Sequence, residues 1–456
     1  MIVKNITDLI GNTPLLEIDN SIHGLKNINL YAKLELFNPF GSVKDKTAWA
    51  MLREHIDEIK NSGQTVIESS SGNTAKAIQM ICGINEIPFK IVTNRVRVRE
   101  VKQILQLLGT EIDELPGQSQ CLDPSDPNDP LFVVEKIMNS EPGHYFHTSQ
   151  YTNELNTIAH RDMTGKEIAQ DLDKVHYFFG GLGTTGSTRG AGETLALDNP
   201  ALKNIGIVSS RQGFIPGIRN SDEMYEVGLF EKSFYDSIVE ITIDEALDAM
   251  MTLIRRCGVL SGPTGGASFA GALKHLRRVD ETLTEKQNAV FLVCDRVEWY
   301  LSFIQKLRPQ WFGLATRDSG FKSISETEIE AAEEWSGDTL EQLLLSGREL
   351  LLVDLRGGLA FKGGHLDRSI NMPADVLEEL FQWGIPFSRS QPVVFVCPTG
   401  DQSKQFSAYL NSEGFESASL KGGYAAWRDK GKQVVKGSKY KKNREGSKHD
   451  KTILTV

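Results

Sequence analysis

Five short segments of this sequence carry side chains whose types and spacing suit chemistry. In Asn38-Pro39-Phe40-Gly41-Ser42-Val43-Lys44-Asp45-Lys46, a lysine follows a Pro/Gly turn and opens a helical pattern. A cation is disfavoured at the positive end of a helix, so the Lys44 amine would titrate low and suit Schiff-base chemistry. A solvated surface lysine satisfies the same pattern. Glu68-Ser69-Ser70-Ser71-Gly72-Asn73-Thr74 runs from a strand into a helix. Its hydroxyls and N–H groups could cradle a carboxylate, and an ordinary helix cap accounts for the same serines. Gly180-Gly181-Leu182-Gly183-Thr184-Thr185-Gly186-Ser187-Thr188 also joins a strand to a helical stretch. Glycines there let backbone amides approach a phosphate, and the threonines add donors. The segment is read as lacking both the Walker lysine and G-x-G-x-x-G spacing, and neither a nucleoside triphosphate nor a dinucleotide is expected. Ser261-Gly262-Pro263-Thr264-Gly265-Gly266-Ala267-Ser268 reads as a ligand loop or as a close-packed turn. Cys397 ends an apolar strand and begins Cys397-Pro398-Thr399-Gly400-Asp401-Gln402-Ser403 ahead of a helix. Converging N–H groups at such a turn stabilise a thiolate.

These segments need a scaffold, and the hydropathy pattern supplies one. Up to residue 312, strand-like runs at 65–68, 89–93, 175–179, 205–209 and 289–294 alternate with helical patterns at 48–61, 74–82, 98–108, 244–257 and 269–278. Such alternation predicts a parallel α/β architecture for residues 1–312. Residues 122–130 hold three prolines and three aspartates and read as a loop. Residues 313–335 turn Ser-, Thr- and Glu-rich and read as a linker with one acidic helical turn. A second, smaller α/β pattern fills 336–430, with strands at 349–355 and 392–397 between helices at 339–345, 374–382 and 402–413. The basic tail, 431–456, cannot bury enough apolar area to order itself.

Composition narrows the class of protein. With 456 residues, 40% of them hydrophobic and 24% charged, the chain has the balance of a globular protein, neither disordered throughout nor built for a bilayer. Its opening residues lack the basic-then-apolar pattern of a secretory signal, so a cytoplasmic setting is expected. Five cysteines without CxxC spacing argue against a disulfide framework and a metal site, and for a reducing compartment. The net charge of −10 averages a +7 stretch from Arg428 onward with a −17 body that repels nucleic acid.

In this order, the first four segments resemble the fold-type II, pyridoxal-phosphate-dependent cysteine synthase family. Its opening signature stands here as Ile10-Gly11-Asn12-Thr13-Pro14-Leu15, and the likeness spans residues 6–302. Phe214-Ile215-Pro216-Gly217-Ile218-Arg219, Gly183-Thr184-Thr185-Gly186, and Cys294-Asp295-Arg296 with Tyr300-Leu301-Ser302 are most similar to B-type O-acetylserine sulfhydrylases. That branch is associated with thiosulfate as well as sulfide. The resemblance implies two α/β subdomains, pyridoxal 5'-phosphate as cofactor and a homodimer. It makes Lys44 the covalent anchor of the cofactor and the acid/base at the substrate Cα. Asn73 would bond the cofactor's ring hydroxyl, and Gly183, Thr184, Thr185, Gly186, Ser187 and Thr188 would hold its phosphate. Thr264 would face the pyridine nitrogen, where a neutral hydroxyl favours β-elimination over transamination. Ser70, Ser71, Thr74 and Gln150 would clamp the substrate carboxylate. Arg219 would recognise an anionic nucleophile such as thiosulfate, or serve as a surface arginine. Ala75 stands where the family usually has glycine, a change that bears on the substrates more than on the cofactor.

Residues 336–430 resemble the rhodanese domain through Val353-Asp354-Leu355-Arg356, Gly363-Gly364-His365-Leu366-Asp367-Arg368-Ser369-Ile370-Asn371-Met372-Pro373 and Gly422-Gly423-Tyr424-Ala425-Ala426-Trp427. The resemblance makes Cys397 the acceptor of a sulfane sulfur. Gln402 replaces the usual loop arginine and Pro398 removes one N–H, so its competence with an anionic donor is left open. The expected activity is β-replacement on O-acetylserine or O-phosphoserine by sulfide, thiosulfate or a persulfide, giving L-cysteine or S-sulfocysteine. A linker of about twenty residues spans ~25 Å, so Cys397 could exchange sulfur with the first site at high effective concentration. The alternative is a nitrogen nucleophile giving a diaminopropionate-type product, with the rhodanese-like domain docking a sulfur-carrier protein. Small-molecule substrates are expected, and no nucleic acid, membrane or metal.

Overall fold

The computed structural model describes residues 2–93, 98–115, 129–211, 213–221, 224, 227–313, 324–381 and 384–437. They form two compact units divided near residue 314. The first unit holds two sheets. Its larger sheet runs Leu15–Ile18, Ile28–Leu34, Gln287–Val293, Tyr177–Gly181, Lys203–Ser209, Ser237–Ile241. Only the first pair is antiparallel, a departure from the parallel expectation that a short connection permits. The smaller sheet is parallel throughout, in the order Glu111–Glu114, Phe89–Thr93, Thr65–Ser69, Tyr145–His147. Ala289 through Val293 are wholly buried, as an uninterrupted apolar run in a central parallel strand requires.

Two helical expectations change. The pattern at 48–61 forms two helices, Lys44–Leu52 and Ile56–Ser62, and the break lets both Met51 and Ile59 enter one core. The helix expected at 269–278 begins six residues earlier, as Pro263–Val279. Its glycines are there for helix contact and not for a turn, since a Cβ on Gly266 would lie 2.1 Å from the carbonyl oxygen of Ala246. Thr264 therefore sits in the first turn of a long, preformed helix.

Beneath the helix that begins at Lys44 lies a buried ionic cluster. Lys46 Nζ donates to Glu35 Oε1 at 2.7 Å, Glu167 Oε2 at 2.8 Å and Thr164 Oγ1 at 3.0 Å. Lys33 pairs with the same Glu167 oxygen at 2.8 Å. Removing one member leaves its partners charged and unpaired, so Lys46→Met should destabilise the first unit by about 3–5 kcal/mol, read as a lower urea midpoint. Burial alone would raise the Glu167 carboxyl, but Lys46 and Lys33 outweigh it and hold the group at about 2, below its ordinary 4.5. That contribution is complete above pH 4.5 and is lost as pH falls toward 2, so acid unfolding should begin in this window.

The second unit is built on a five-stranded parallel sheet ordered Glu334–Trp335, Ser417–Leu420, Val393–Val396, Leu351–Asp354, Ile370–Asn371. Glu334–Trp335 is thus a sheet edge and not linker, because the Trp335 ring is buried against this unit's core. The acidic turn expected before it is the helix Glu326–Glu330, capped by Ser325. The tail also starts later than composition suggests. Lys432 pairs with Asp338 and Glu341, and Val435 bridges His365. Cys121, most of the loop expected at 122–130, residues 314–323 of the linker and 438–456 of the tail lie outside the described residues. Among the described residues, no helix is long and apolar enough to cross a membrane.

Candidate functional site

Lys44 is the first residue of its helix, as the Pro/Gly turn predicts. Burial holds its amine below the ordinary lysine range, with nearby Cys294 opposing; desolvation therefore does the work assigned to the helix end in the sequence reading. The Nζ donates to Thr184 Oγ1 at 3.2 Å. From there a circuit of contacts closes on itself. Asn156 Nδ2 donates to Thr184 Oγ1 and to the carbonyl of Gln150, both at 2.9 Å. Thr74 Oγ1 donates to Gln150 Oε1 at 2.7 Å. The neighbouring Asn73 amide donates to Asp295, which also accepts from Thr264 Oγ1 at 3.0 Å. A Cβ on Gly217 would lie 3.2 Å from Thr264, and one on Gly183 would lie 2.6 Å from the Gly217 carbonyl oxygen. Gly183 adjoins Thr184, where the circuit began.

Each segment of this circuit is an element terminus. Asn73 opens the helix Asn73–Ile84, whose third N–H, on Ala75, is accepted by Ser70 Oγ at 3.2 Å. Ser70, two residues before the N-cap Gly72, thus satisfies one first-turn N–H, and Ser71 is exposed. The N–H groups of Asn73 and Thr74, in the first turn, have no intrahelical acceptor and are of the kind that suits an anion. Gly186 opens the helix Gly186–Asp198 after Thr185, which is held at φ +66°. A non-glycine residue in that region stores strain of about 1–3 kcal/mol, a mark of functional turns. Thr188 Oγ1 lies 2.7 Å from Tyr235 OH, and Ser187 is buried. Gly181, Gly183 and Gly186 do have G-x-G-x-x-G spacing, but the next parallel strand ends at Ser209 without the acid a ribose would need. Arg219 is tied through its backbone N–H to Leu182 at 2.9 Å, and its guanidinium lies 5.0 Å from the Tyr151 ring, beside Gln150.

The sequence reading assigned no role to Asp295, Asn156 or Tyr300. Asp295 is buried and accepts from three side chains, Asn73, Thr264 and Tyr300. Burial raises its carboxyl above the usual range against the pull of those bonds. An acid directly after a buried strand was the available signal. Thr264 thus points its hydroxyl hydrogen at Asp295, a geometry its neutral type alone does not reveal.

In the second unit, Cys397 follows the strand Val393–Val396 and is buried. Its Sγ accepts from the Gly400 N–H at 3.1 Å and from Ser403 Oγ at 3.3 Å. Ser403 is braced in turn by Ser419 Oγ at 2.8 Å. Gly423 has φ +61°, and a Cβ there would lie 2.4 Å from the Cys397 carbonyl oxygen, so this turn packs tightly against the Cys397–Pro398 backbone. Arg356 is spent on Asp354 and stacks 3.6 Å from the Tyr424 ring centroid. Gln402 and exposed Asp401 begin the helix after the loop.

The first circuit fits a phosphorylated aldehyde cofactor. Asn73 Oδ1 and Thr185 Oγ1 are buried without a hydrogen-bond partner among the described residues. The first is an acceptor suited to a ring hydroxyl, and the second lies in a turn suited to phosphate. Comparison with known proteins agrees. Residues 6–295 match the family described as pyridoxal-phosphate dependent enzyme, and 336–430 match the rhodanese-like domain. Cysteine synthase B of Pseudomonas aeruginosa is 30% identical over 299 residues, covering 65% of this chain and 95% of that protein. A hydrogen sulfide-producing enzyme from Fusobacterium nucleatum is 30% identical at a TM-score of 0.57, covering 66% of this chain and 98% of that one. Cysteine synthase from Entamoeba histolytica is 26% identical at a TM-score of 0.59, covering 67% and 90%. This chain belongs to the pyridoxal-phosphate dependent enzyme family as a cysteine synthase-like member, and it carries a rhodanese-like domain after that enzyme unit.

Proposed function

We propose that the first unit replaces the β-substituent of an activated L-serine, O-acetylserine or O-phosphoserine, with a sulfur nucleophile. The closed circuit of contacts around the Lys44 amine is the observation that carries this reading. In it, Lys44 anchors the cofactor, Asn73 meets its ring hydroxyl, residues Gly183 to Thr188 hold its phosphate and Thr264 meets its ring nitrogen. When bound, the cofactor supplies the electron sink that allows the Cα–H bond to break and the β-leaving group to depart. Lys44, its pKa lowered by burial, takes and returns the Cα proton. Thr74, Gln150 and the first-turn N–H groups after Ser70 and Ser71 orient the substrate carboxylate. Arg219, beside Tyr151, meets an anionic nucleophile such as thiosulfate. The protein works as a homodimer in a reducing compartment.

Cys397 serves this reaction as a sulfur carrier, loaded as a persulfide and unloaded by a low-molecular-weight thiol, two equivalents of which supply the two electrons, become a disulfide and release sulfide for the first unit. Its thiolate attacks the outer sulfur of thiosulfate, a new S–S bond forms, the donor's S–S bond breaks and sulfite leaves with the electron pair. The Gly400 N–H and the Ser403 hydroxyl stabilise the thiolate. Intact mass should show one added sulfur after thiosulfate treatment, and none in Cys397→Ser. That variant should keep sulfide-dependent turnover and direct S-sulfocysteine formation from thiosulfate, and lose most L-cysteine formation from thiosulfate or a persulfide; unchanged L-cysteine formation from those donors would refute sulfur relay.

The test of the whole reading is a product assay. Purified holoenzyme is mixed with each activated serine and with sulfide, thiosulfate, a low-molecular-weight persulfide or ammonia, and the products are identified by mass spectrometry. L-cysteine or S-sulfocysteine supports it. A diaminopropionate product in preference to both would overturn it.

A further inference from the structure

A second cavity lies in the first unit. It has a volume of about 500 Å³ and apolar walls formed by Leu36, Phe37, Phe40, Met80, Ile104 and Trp299. That is the size and character of a small-molecule pocket. One cation is built into it. Lys76 is only 3% exposed, and its Nζ has no hydrogen-bond partner among the described residues. The ammonium sits 3.7 Å from the Trp299 ring centroid. The Trp299 Nε1–H is buried and likewise without a partner.

A buried ammonium without hydrogen bonds is costly, and a cation–π contact offsets part of that cost. Burial lowers the Lys76 amine to about 8, opposed by Asp45, Asp295 and Glu298 and reinforced by Arg296, none of them hydrogen-bonded to it, and Asp45 spends its oxygens on the Phe40 N–H and Ser42 Oγ. Arg296, also on the wall, is already paired with Glu298. The pocket wall therefore holds one ammonium and one adjacent N–H that have no hydrogen-bond acceptor among the described residues, within aromatic surroundings. A carboxylate has two oxygens to accept from both donors and a single charge to balance Lys76. A phosphate dianion would leave one charge uncompensated in an apolar setting.

We propose that this cavity binds a small aromatic monocarboxylate, held by Lys76 and the Trp299 indole N–H, separately from the reaction site. The assignment goes beyond β-replacement and does not depend on it. Its walls give the occupant a route to that site all the same. Asn38, Pro39, Phe40 and Gly41 belong to the turn that delivers Lys44, and Lys76 stands on the helix that starts at Asn73.

Phenylacetate is the probe, titrated calorimetrically into full-chain holoenzyme at neutral pH. The neutral isostere phenylacetamide should bind about tenfold more weakly or worse, because it lacks the charge-assisted bond. Lys76→Met should weaken phenylacetate by a similar factor, whereas Thr74→Ala should not, which excludes capture of the probe by the carboxylate clamp. Met80→Trp fills the cavity with Lys76 intact and should abolish binding even if Lys76→Met fails to fold. The proposal is overturned if acid and amide bind equally, if either pocket variant retains wild-type affinity, or if the wild type shows no saturable binding up to about 10 mM.

Discussion

Lys44→Ala is expected to lower β-replacement by at least about 10³-fold, because in the proposed mechanism it removes both the cofactor's anchor and the general acid/base at the substrate Cα. The two losses can be separated. Without its anchor, the protein should lose the visible absorbance of covalently bound cofactor while still binding pyridoxal phosphate through the Gly183–Thr188 turn and Asn73. Added primary amines should restore a small part of the rate, since a free amine can move the proton but is not held by Thr184. The fold should survive, because Lys44 Nζ has its hydrogen bond to the loop at 3.2 Å, whereas the helix is held down by Lys46 and its buried acids. A Lys44→Ala protein with near-normal turnover would dismiss the role of the amine altogether. Stopped-flow assay of the purified variant, with absorbance recorded in parallel, measures both effects.

Asp295→Ala should have the largest effect among residues outside the reacting groups. Three side-chain donors converge on this buried carboxylate, from partly buried Asn73 and buried Thr264 and Tyr300. Left unpaired, each costs about 1–3 kcal/mol, so a total on the order of 3–5 kcal/mol of stability is expected after partial relaxation. The same change frees the side chains of Asn73 and Thr264, which meet the cofactor ring in the proposed site. Cofactor affinity should fall by about 10²-fold, the scale of losing two positioned contacts. Asp295 is a positioning residue, and a split in the kinetics distinguishes that from a merely structural role. At saturating cofactor, the variant should recover much of its kcat, whereas a globally loosened protein would not. Thermal unfolding and cofactor titration of Asp295→Ala and Asp295→Asn check both numbers. Asn keeps the volume and one acceptor oxygen, so it should fall between wild type and Ala.

How much of this could be read before folding varies by residue. The turn before Lys44 was legible because proline, glycine and a following helical pattern all act within a few residues. The Cys397 loop was legible for the same reason. The helix carrying Thr264 was misread in its first turn, because Gly265 and Gly266 look like a turn locally. Gly266 allows a close approach to Ala246, some twenty residues earlier in the chain, and Gly265 a close approach to Val293. Trp335 was assigned to a linker because its flanks are polar, yet its ring fills the core of the second unit.

What the sequence determined by itself, then, is what short-range physics controls: the alternation of strands and helices, the two-part division of the chain, and the chemical types in each turn. The tertiary structure decided which of those groups meet. Asp295 lies 222 residues from Asn73 and 31 from Thr264, and no local pattern encodes such a pairing. It also decided that Lys46 has three buried partners while Lys76, equally buried, has no hydrogen-bond acceptor. The two lysines are the same residue type on helices in one unit. Only long-range packing, which sets burial and the distance to each acid, makes one a structural tie and leaves the other without a hydrogen-bond acceptor.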